Sequence, residues 1–364
     1  MAIKVTQPEI NLRETLKDLD KPSGTAGQAM LRAETPQEQQ ALIGLGRRNK
    51  VINGSMLIWQ RGTVQTTSDS NSYHSVDRWA PYSSGRTQYQ QSTDVPDGFA
   101  YALATSGTPT GEYIISHGIE LPGAGIAGEF YLGQKFTVSY YAKSTAAGDR
   151  LVDWMAFRVG QTSSSSQVEA KVNDSSQYHS LSTGWKRYSR TYTITGTPGS
   201  TNICVALAIR NHWDNPIAAG NISITGVQVE IGSTVTPFEH RSYGEELALC
   251  QRYCYVMGTP SVSTNDLFAV GTGNGTGTAT TYHLHPVEMR ARPTLAYSAL
   301  ADFAVYNFGT SGQLGAPTAI SIITSIATKT WSYVDYARSG TTTGNAIMIR
   351  AANTSTKLIF SAEL

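Results

Sequence analysis

The sequence predicts a mainly β protein: an antiparallel jelly-roll β-sandwich, a second C-terminal β-sandwich, a short helical N-terminal arm and one linking helix. Three observations carry this expectation. Apolar residues alternate at period two through many short segments. Helical spacing is confined to the first fifty residues and one later stretch. The polar share of the chain comes from Ser, Thr, Asn, Gln and Gly, with charged residues only 15% of the 364. The 34 Gly and 14 Pro supply turns between short strands, and the length exceeds what one core usually reaches, so two sandwiches are expected.

The arm, residues 1–50, carries two helix-start signals. Asn11 stands three residues before Glu14 as a capping box, with Leu12, Leu16 and Leu19 on one apolar edge, stopped by Pro22 and Gly24. Thr35, Pro36 and Glu38 open a second helix that carries Leu42 and Ile43 and ends at Gly44 and Gly46. Two short amphipathic helices cannot form a core, so these leucines and Ile43 are expected to dock elsewhere.

Residues 51–243 read as strands. Clear alternation runs through Phe136–Lys143, Arg187–Ile194, Val205–Arg210 and Ile222–Glu230, and strand groups without intervening helices make antiparallel sandwiches. Ser163–Ser166 reads as a loop tip. Residues 244–257 are expected as the linking helix, with Leu247, Cys250 and Cys254 on one stripe; the two cysteines, four apart, are poorly placed for a disulfide. Residues 258–364 form the second sandwich, with the Gly/Thr-rich residues 271–281 expected as a long loop.

The segments Asn53-Gly54, Trp59-Gln60-Arg61-Gly62, Asp77-Arg78-Trp79 and Pro237-Phe238-Glu239 occur in an order that resembles the carbohydrate-binding-module-like jelly roll of bacteriophage virion fibres. Short-tailed, podovirus-like phages, cyanophages among them, carry such fibres. The likeness covers roughly residues 50 to 257 and extends more loosely to His283–Thr294 and the closing Phe360–Leu364. It implies a non-enzymatic virion protein on the tail or capsid exterior, most simply a homotrimeric tail fibre. Such a fibre is anchored by its arm to a tail adaptor, nozzle or capsid protein and contributes to recognition of a host-surface glycan. A head fibre or capsid decoration protein is the alternative, and a glycan-depolymerising tailspike a further one. The resemblance places the linking helix near a threefold axis, so Leu247, Cys250 and Cys254 are expected at a trimer interface. It also assigns Trp59, Trp79 and Trp185 to the framework core.

A net charge of +1 leaves no basic footprint for nucleic acid and no polybasic membrane patch. No apolar run approaches the roughly 20 residues of a membrane span, and Met1–Thr6 lacks a signal-peptide core, so cytoplasmic synthesis is expected. No nucleophile elbow, phosphate loop or zinc spacing occurs, and no cofactor is expected. Asp149, Asp153, Asp214 and Glu112 remain a conceivable glycosidase carboxylate set. The stretch Asn211, His212, Trp213 and Asp214 mixes a ring with amide, imidazole and carboxylate groups, as a sugar site requires; Trp213 as a lid on the sandwich is the competing reading. Trp154 and Arg158, four apart in a strand, share one face, which the jelly roll would make its concave face. His283 and His285 share a side and are weak metal candidates around a threefold axis. A structural calcium is weakened by Ser55 at a position commonly acidic in the resembled pattern.

Overall fold

The computed structural model describes residues 47–66, 73, 75–83, 88–106, 113–160, 178–211, 220–258, 263–310 and 312–364. The arm residues Leu12, Leu16, Leu19, Leu42 and Ile43 lie outside the described residues, as do Glu112, Ser163–Ser166, His212, Trp213 and Asp214.

The first half folds as β1 (Val64–Thr66), β2 (Trp79–Ser83), β3 (Gln88–Ser92), β4 (Ala102–Ser106), β5 (Tyr113–Glu120) and β6 (Lys135–Ser144). It continues with β7 (Arg150–Arg158), β8 (His179–Ser180), β9 (Lys186–Thr193), β10 (Cys204–Asn211) and β11 (Ile222–Ile231). A six-stranded sheet, β1-β3-β4-β11-β6-β9, faces a five-stranded sheet, β2-β5-β10-β7-β8. All pairings are antiparallel, as a sandwich of short alternating strands requires. Inward residues from both sheets, among them Phe136, Val138, Tyr140, Phe157, Leu207 and Val229, make one apolar core.

The motif segments lock this sandwich from one end. Asn53, at φ 57°, accepts the amides of Leu57 and Ile58 and donates to the carbonyls of Ile58 and Asp77. Its own carbonyl takes the Trp79 indole N–H at 3.0 Å. Asn suits this place because its short amide side chain tolerates the left-handed backbone and bonds locally. Gly54 is needed for close approach, since a Cβ there would lie 2.1 Å from the Val227 carbonyl oxygen. Glu239 accepts the Asn49 amide, and Arg241 donates to the carbonyls of Asn49 and Val51. Residues 47–50, assigned to the arm from sequence, are therefore tied into the sandwich: Lys50 N–H also donates to the Val229 carbonyl.

The linking helix α1 (Tyr243–Gln251) is capped by Ser242, whose hydroxyl accepts the Glu245 amide at 3.3 Å. It is shorter than expected. Residues 254–257 leave it as β12 (Cys254–Met257), which pairs with the last strand, so that Cys254 stands opposite Ser361. Cys250 and Cys254 are wholly buried inside the chain and Leu247 is half-buried. Cys250 and Cys254, expected with Leu247 at a trimer seam, are thus taken up within the chain: the sheet hydrogen bonds of β12 win over helical continuation at Cys254, and burial pushes both thiols up.

The second half adds β13 (Leu267–Asn274), β14 (Thr278–Leu284), β15 (Thr294–Tyr297), β16 (Phe303–Asn307) and β17 (Gly312–Gly315). The chain then runs through β18 (Ala319–Ile322), β19 (Trp331–Ala337), β20 (Ala346–Ala351) and β21 (Leu358–Ser361). A seven-stranded sheet, β17-β16-β20-β13-β14-β19-β18, packs a second core against the three-stranded β12-β21-β15. The predicted loop at 271–281 is instead the β13–β14 hairpin. Gly271 and Gly273 serve close backbone approach there, because a Cβ would lie 1.9 Å from the Thr280 oxygen and 2.1 Å from the Thr342 oxygen.

An ion-paired cluster joins the halves. Glu363, beyond β21, binds Arg61 at 2.9 Å and also Arg78, while Arg61 pairs with Asp77 at 3.1 Å. The Arg78 guanidinium lies 3.5 Å from the Tyr253 ring centroid and donates to the Gly118 carbonyl. Arg78 takes φ 70°, a costly backbone for arginine that these contacts offset.

Candidate functional site

The candidate site is the pair Trp154 and Arg158, on the outward side of the five-stranded sheet. Strand alternation puts Leu151, Asp153, Met155 and Phe157 of β7 inward and Val152, Trp154, Ala156 and Arg158 outward. In register, Trp154 stands opposite Ala208, Ala208 opposite Ser116, and Ser116 opposite Ala80. The next row is Ala156, Ala206 and Gly118. These small side chains are closed off from solvent, Ala80, Ala156, Ala206 and Ala208 being at most 1% exposed and Ser116 5%, so that only the half-buried Trp154 and Arg158 reach the surface, at one side.

The Arg158 guanidinium carbon lies 4.7 Å from the Trp154 ring centroid, a cation–π contact. Burial pulls the Arg158 pKa down from its ordinary value, offset in part by Cys204. One face of the indole is therefore covered by a planar donor, and a ligand would meet an aromatic edge together with guanidinium N–H groups. Leu364 lies just beyond the end of β7: a Cβ on Gly160 would lie 3.6 Å from the Leu364 carboxyl carbon. Arg252 and Tyr253 bind Glu120, at the matching end of β5.

Asn211, expected beside a sugar, is buried at the end of β10, on the inward side with Ile209 and opposite Leu151. Period two decides this, since Asn211 follows the outward Arg210. The proposed carboxylate set is not assembled among the described residues. Asp149 is buried and accepts from the Ser144 hydroxyl and the Gly220 amide. Asp153 lies inside the sandwich, 3.2 Å from His179 and 3.7 Å from Arg190, with the Tyr192 and Tyr140 hydroxyls on it. Burial opposes its ionisation, but the His179 hydrogen bond, the Arg190 charge and the Tyr192 hydroxyl hold its carboxyl below the usual range.

His283 and His285 are buried against Phe360, at ring-centroid distances of 5.6 and 5.3 Å. His283 bonds Thr281, while His285 bonds the Lys329 carbonyl and the Ser332 hydroxyl. Burial pulls both pKa values down, that of His283 to about 4. They face the chain's own core, which removes the shared outward side that made them weak metal candidates. Among the described residues no three His, Cys, Asp or Glu side chains cluster as metal ligands.

Trp79 is in the core and Trp59 packs against it. Trp185 is not. It lies half-buried on the outside of the six-stranded sheet, its N–H on Asp94 at 3.1 Å and Lys143 5.3 Å from its ring centroid.

No family model and no curated protein matches this chain. Among solved structures, the xylan-binding domain CBM22-1 of Paenibacillus barcinonensis Xyn10C matches at 11% identity and TM-score 0.30, over 52% of this chain and 99% of that one. The tandem CBM22-1–CBM22-2 domain of the same protein matches at 10% identity and TM-score 0.30, over 87% and 99%. The enzymatically active domain of bacteriophage CBA120 tailspike protein 4 matches at 14% identity and TM-score 0.32, over 50% of this chain but 21% of that one. These are partial likenesses in strand arrangement, and the site rests on its own residues.

Sequence reasoning reached Trp154 and Arg158 through their spacing. It missed that the rest of this face is closed, because the burial of Ala80, Ser116, Ala206 and Ala208 depends on tertiary packing and leaves no local signal.

Proposed function

We propose that this chain is a non-enzymatic phage virion protein, a trimeric tail fibre that contacts host-surface glycan through the Trp154–Arg158 pair on the outward side of its five-stranded sheet. The observation that carries the glycan reading is the half-buried Trp154–Arg158 pair, a ring and a planar donor that reach the surface side by side. His212, Trp213 and Asp214 follow directly in sequence on β10, the strand paired with the one that carries Trp154 and Arg158. The virion assignment rests on the ordered motifs, which the fold gathers into one locking cluster. Enclosure of Asp149 and Asp153 supports a binding role rather than glycoside cleavage.

The test is binding of host-cell surface polysaccharide to the intact chain and to Trp154→Ala. Loss of about 1 to 3 kcal/mol of affinity is expected, by analogy with other aromatic platforms. Unchanged affinity in Trp154→Ala would remove this face from the reading. Release of shortened saccharides by the intact chain would replace it with an enzyme.

A further inference from the structure

The outer face of the seven-stranded sheet breaks the rule that a solvated sheet face is polar. Val270 is 60% exposed, Leu284 65%, Leu267 58% and Tyr282 48%, all on the adjacent strands β13 and β14. Register extends these residues into a band. Tyr306 pairs with Met348, Met348 with Val270 and Tyr282 with Tyr333, and Val270 stands opposite Tyr282 one step beyond the Gly271–Thr281 pair. The row beside it holds Arg350 opposite Leu267, and Leu284 opposite Trp331. Three rings brace one end: Trp331 and Tyr333 lie 5.0 Å apart and Tyr282 lies 5.6 Å from Tyr333.

We infer that copies of this chain pack on one another through this face. The inference rests on the reading that the chain is an oligomer and names the surface that does it, in place of α1. Tyr, Trp, Met and Arg with few carboxylates is the composition of an interface centre. The aliphatic middle, Val270, Leu267 and Leu284, offers a saccharide no hydrogen bond, and Asp335, in the next row, already accepts from Thr280 at 2.6 Å.

Charge placement favours a copy of the same chain over a foreign partner. The band has one cation, Arg350, at its β16–β20 end, 4.6 Å from the Tyr306 ring centroid. Its other end, in the same two rows, presents the rings of Trp331 and Tyr333. A ring of copies around an axis along the strands brings the first end of one copy to the second end of the next without a shift in register. Each Arg350 then meets the electron-rich faces of the neighbour's Trp331 and Tyr333, while the aliphatic middle faces the axis. The seven-stranded face measures about 29 Å by about 24 Å, on the order of 700 Å², from ordinary strand spacings. The band takes up two rows on five of the seven strands of that plane, as the apolar centre of an interface to which each partner ordinarily contributes roughly 800 Å².

The experiment is the mass of the full chain by light scattering and sedimentation, alongside Leu284→Lys, Val270→Lys and, as a control, Leu132→Lys on the first sandwich, where Leu132 is 62% exposed. The expected result is a trimer for the intact chain and the control, and a mass about threefold lower for both band variants at the same concentration, with unchanged circular dichroism. Hydroxyl-radical footprinting of the unaltered chain supplies a readout free of folding effects: Tyr282 and Trp331 should be protected when concentrated and oxidised when diluted. A monomeric intact chain sinks both the oligomer reading and this surface. A trimer that ignores Leu284→Lys, or equal oxidation of Tyr282 at all concentrations, sinks the surface alone. Loss of glycan binding in the band variants with mass unchanged would make the band a saccharide platform and overturn the inference.

Discussion

Replacing Glu363 by Gln tests whether the two sandwiches are held together by a buried ion cluster. The Glu363 carboxylate serves Arg61 and Arg78, whose side chains are 5% and 0% exposed. Arg61 would keep Asp77, while Arg78 would lose its carboxylate and keep neutral contacts such as the Gly118 carbonyl and the Tyr253 ring. Leaving a buried guanidinium without its counter-ion costs about 3 to 5 kcal/mol. For a domain of this size that lowers the melting temperature by roughly 6 to 20 °C. Calorimetry of the full chain reads the shift. The companion variant carries Arg78→Met as well, which removes the stranded charge and should recover much of the loss, because replacing a whole buried pair by apolar groups is close to neutral. A Glu363→Gln protein melting within about 2 °C of the parent, or a double variant with strictly additive losses, would refute the reasoning.

Three further outcomes are expected. His283, pulled down to about 4 by burial and by His285, favours the neutral folded form, so its stabilisation is present above the unfolded value near 6.5 and lost as pH falls through about 4. Urea midpoints between pH 7 and 4.5 should fall, and His283→Gln should flatten that slope; an unchanged slope counts against it. Gly271→Ala should cost about 1 to 3 kcal/mol by forcing a Cβ onto the Thr280 oxygen, whereas Gly277→Ala, with nothing within 4 Å, should change the urea midpoint little. Deleting residues 1–46 should leave both sandwiches folded by circular dichroism but prevent incorporation into phage particles, since Asn49 and Lys50 stay bonded to the sheet; normal incorporation would place the anchor elsewhere.

Much of the sandwich was legible because period two is a local property. Phe136–Lys143 and Ile222–Glu230 announce their strands whatever they pair with. The same locality explains the errors. The α1 stripe continues to Cys254 by spacing alone, but pairing with Ser361, more than a hundred residues away, draws that cysteine into a strand. Gly271–Thr281 looks like a loop because glycine normally weakens strands, and only the closeness of Thr280 and Thr342 explains why glycine is required.

The sequence by itself determined the antiparallel class, the approximate place of the linking helix, the sharing of one strand face by Trp154 and Arg158, and the ordered motifs. Tertiary structure alone decided what those residues meet. It turned Asn211 and His283 inward and left Trp185 outside. It also laid Val270, Tyr282 and Leu284 side by side with Trp331 on an open face. Strand order and register are set by contacts between residues far apart in the chain, and a one-residue change in register exchanges buried for exposed. No local pattern carries that information.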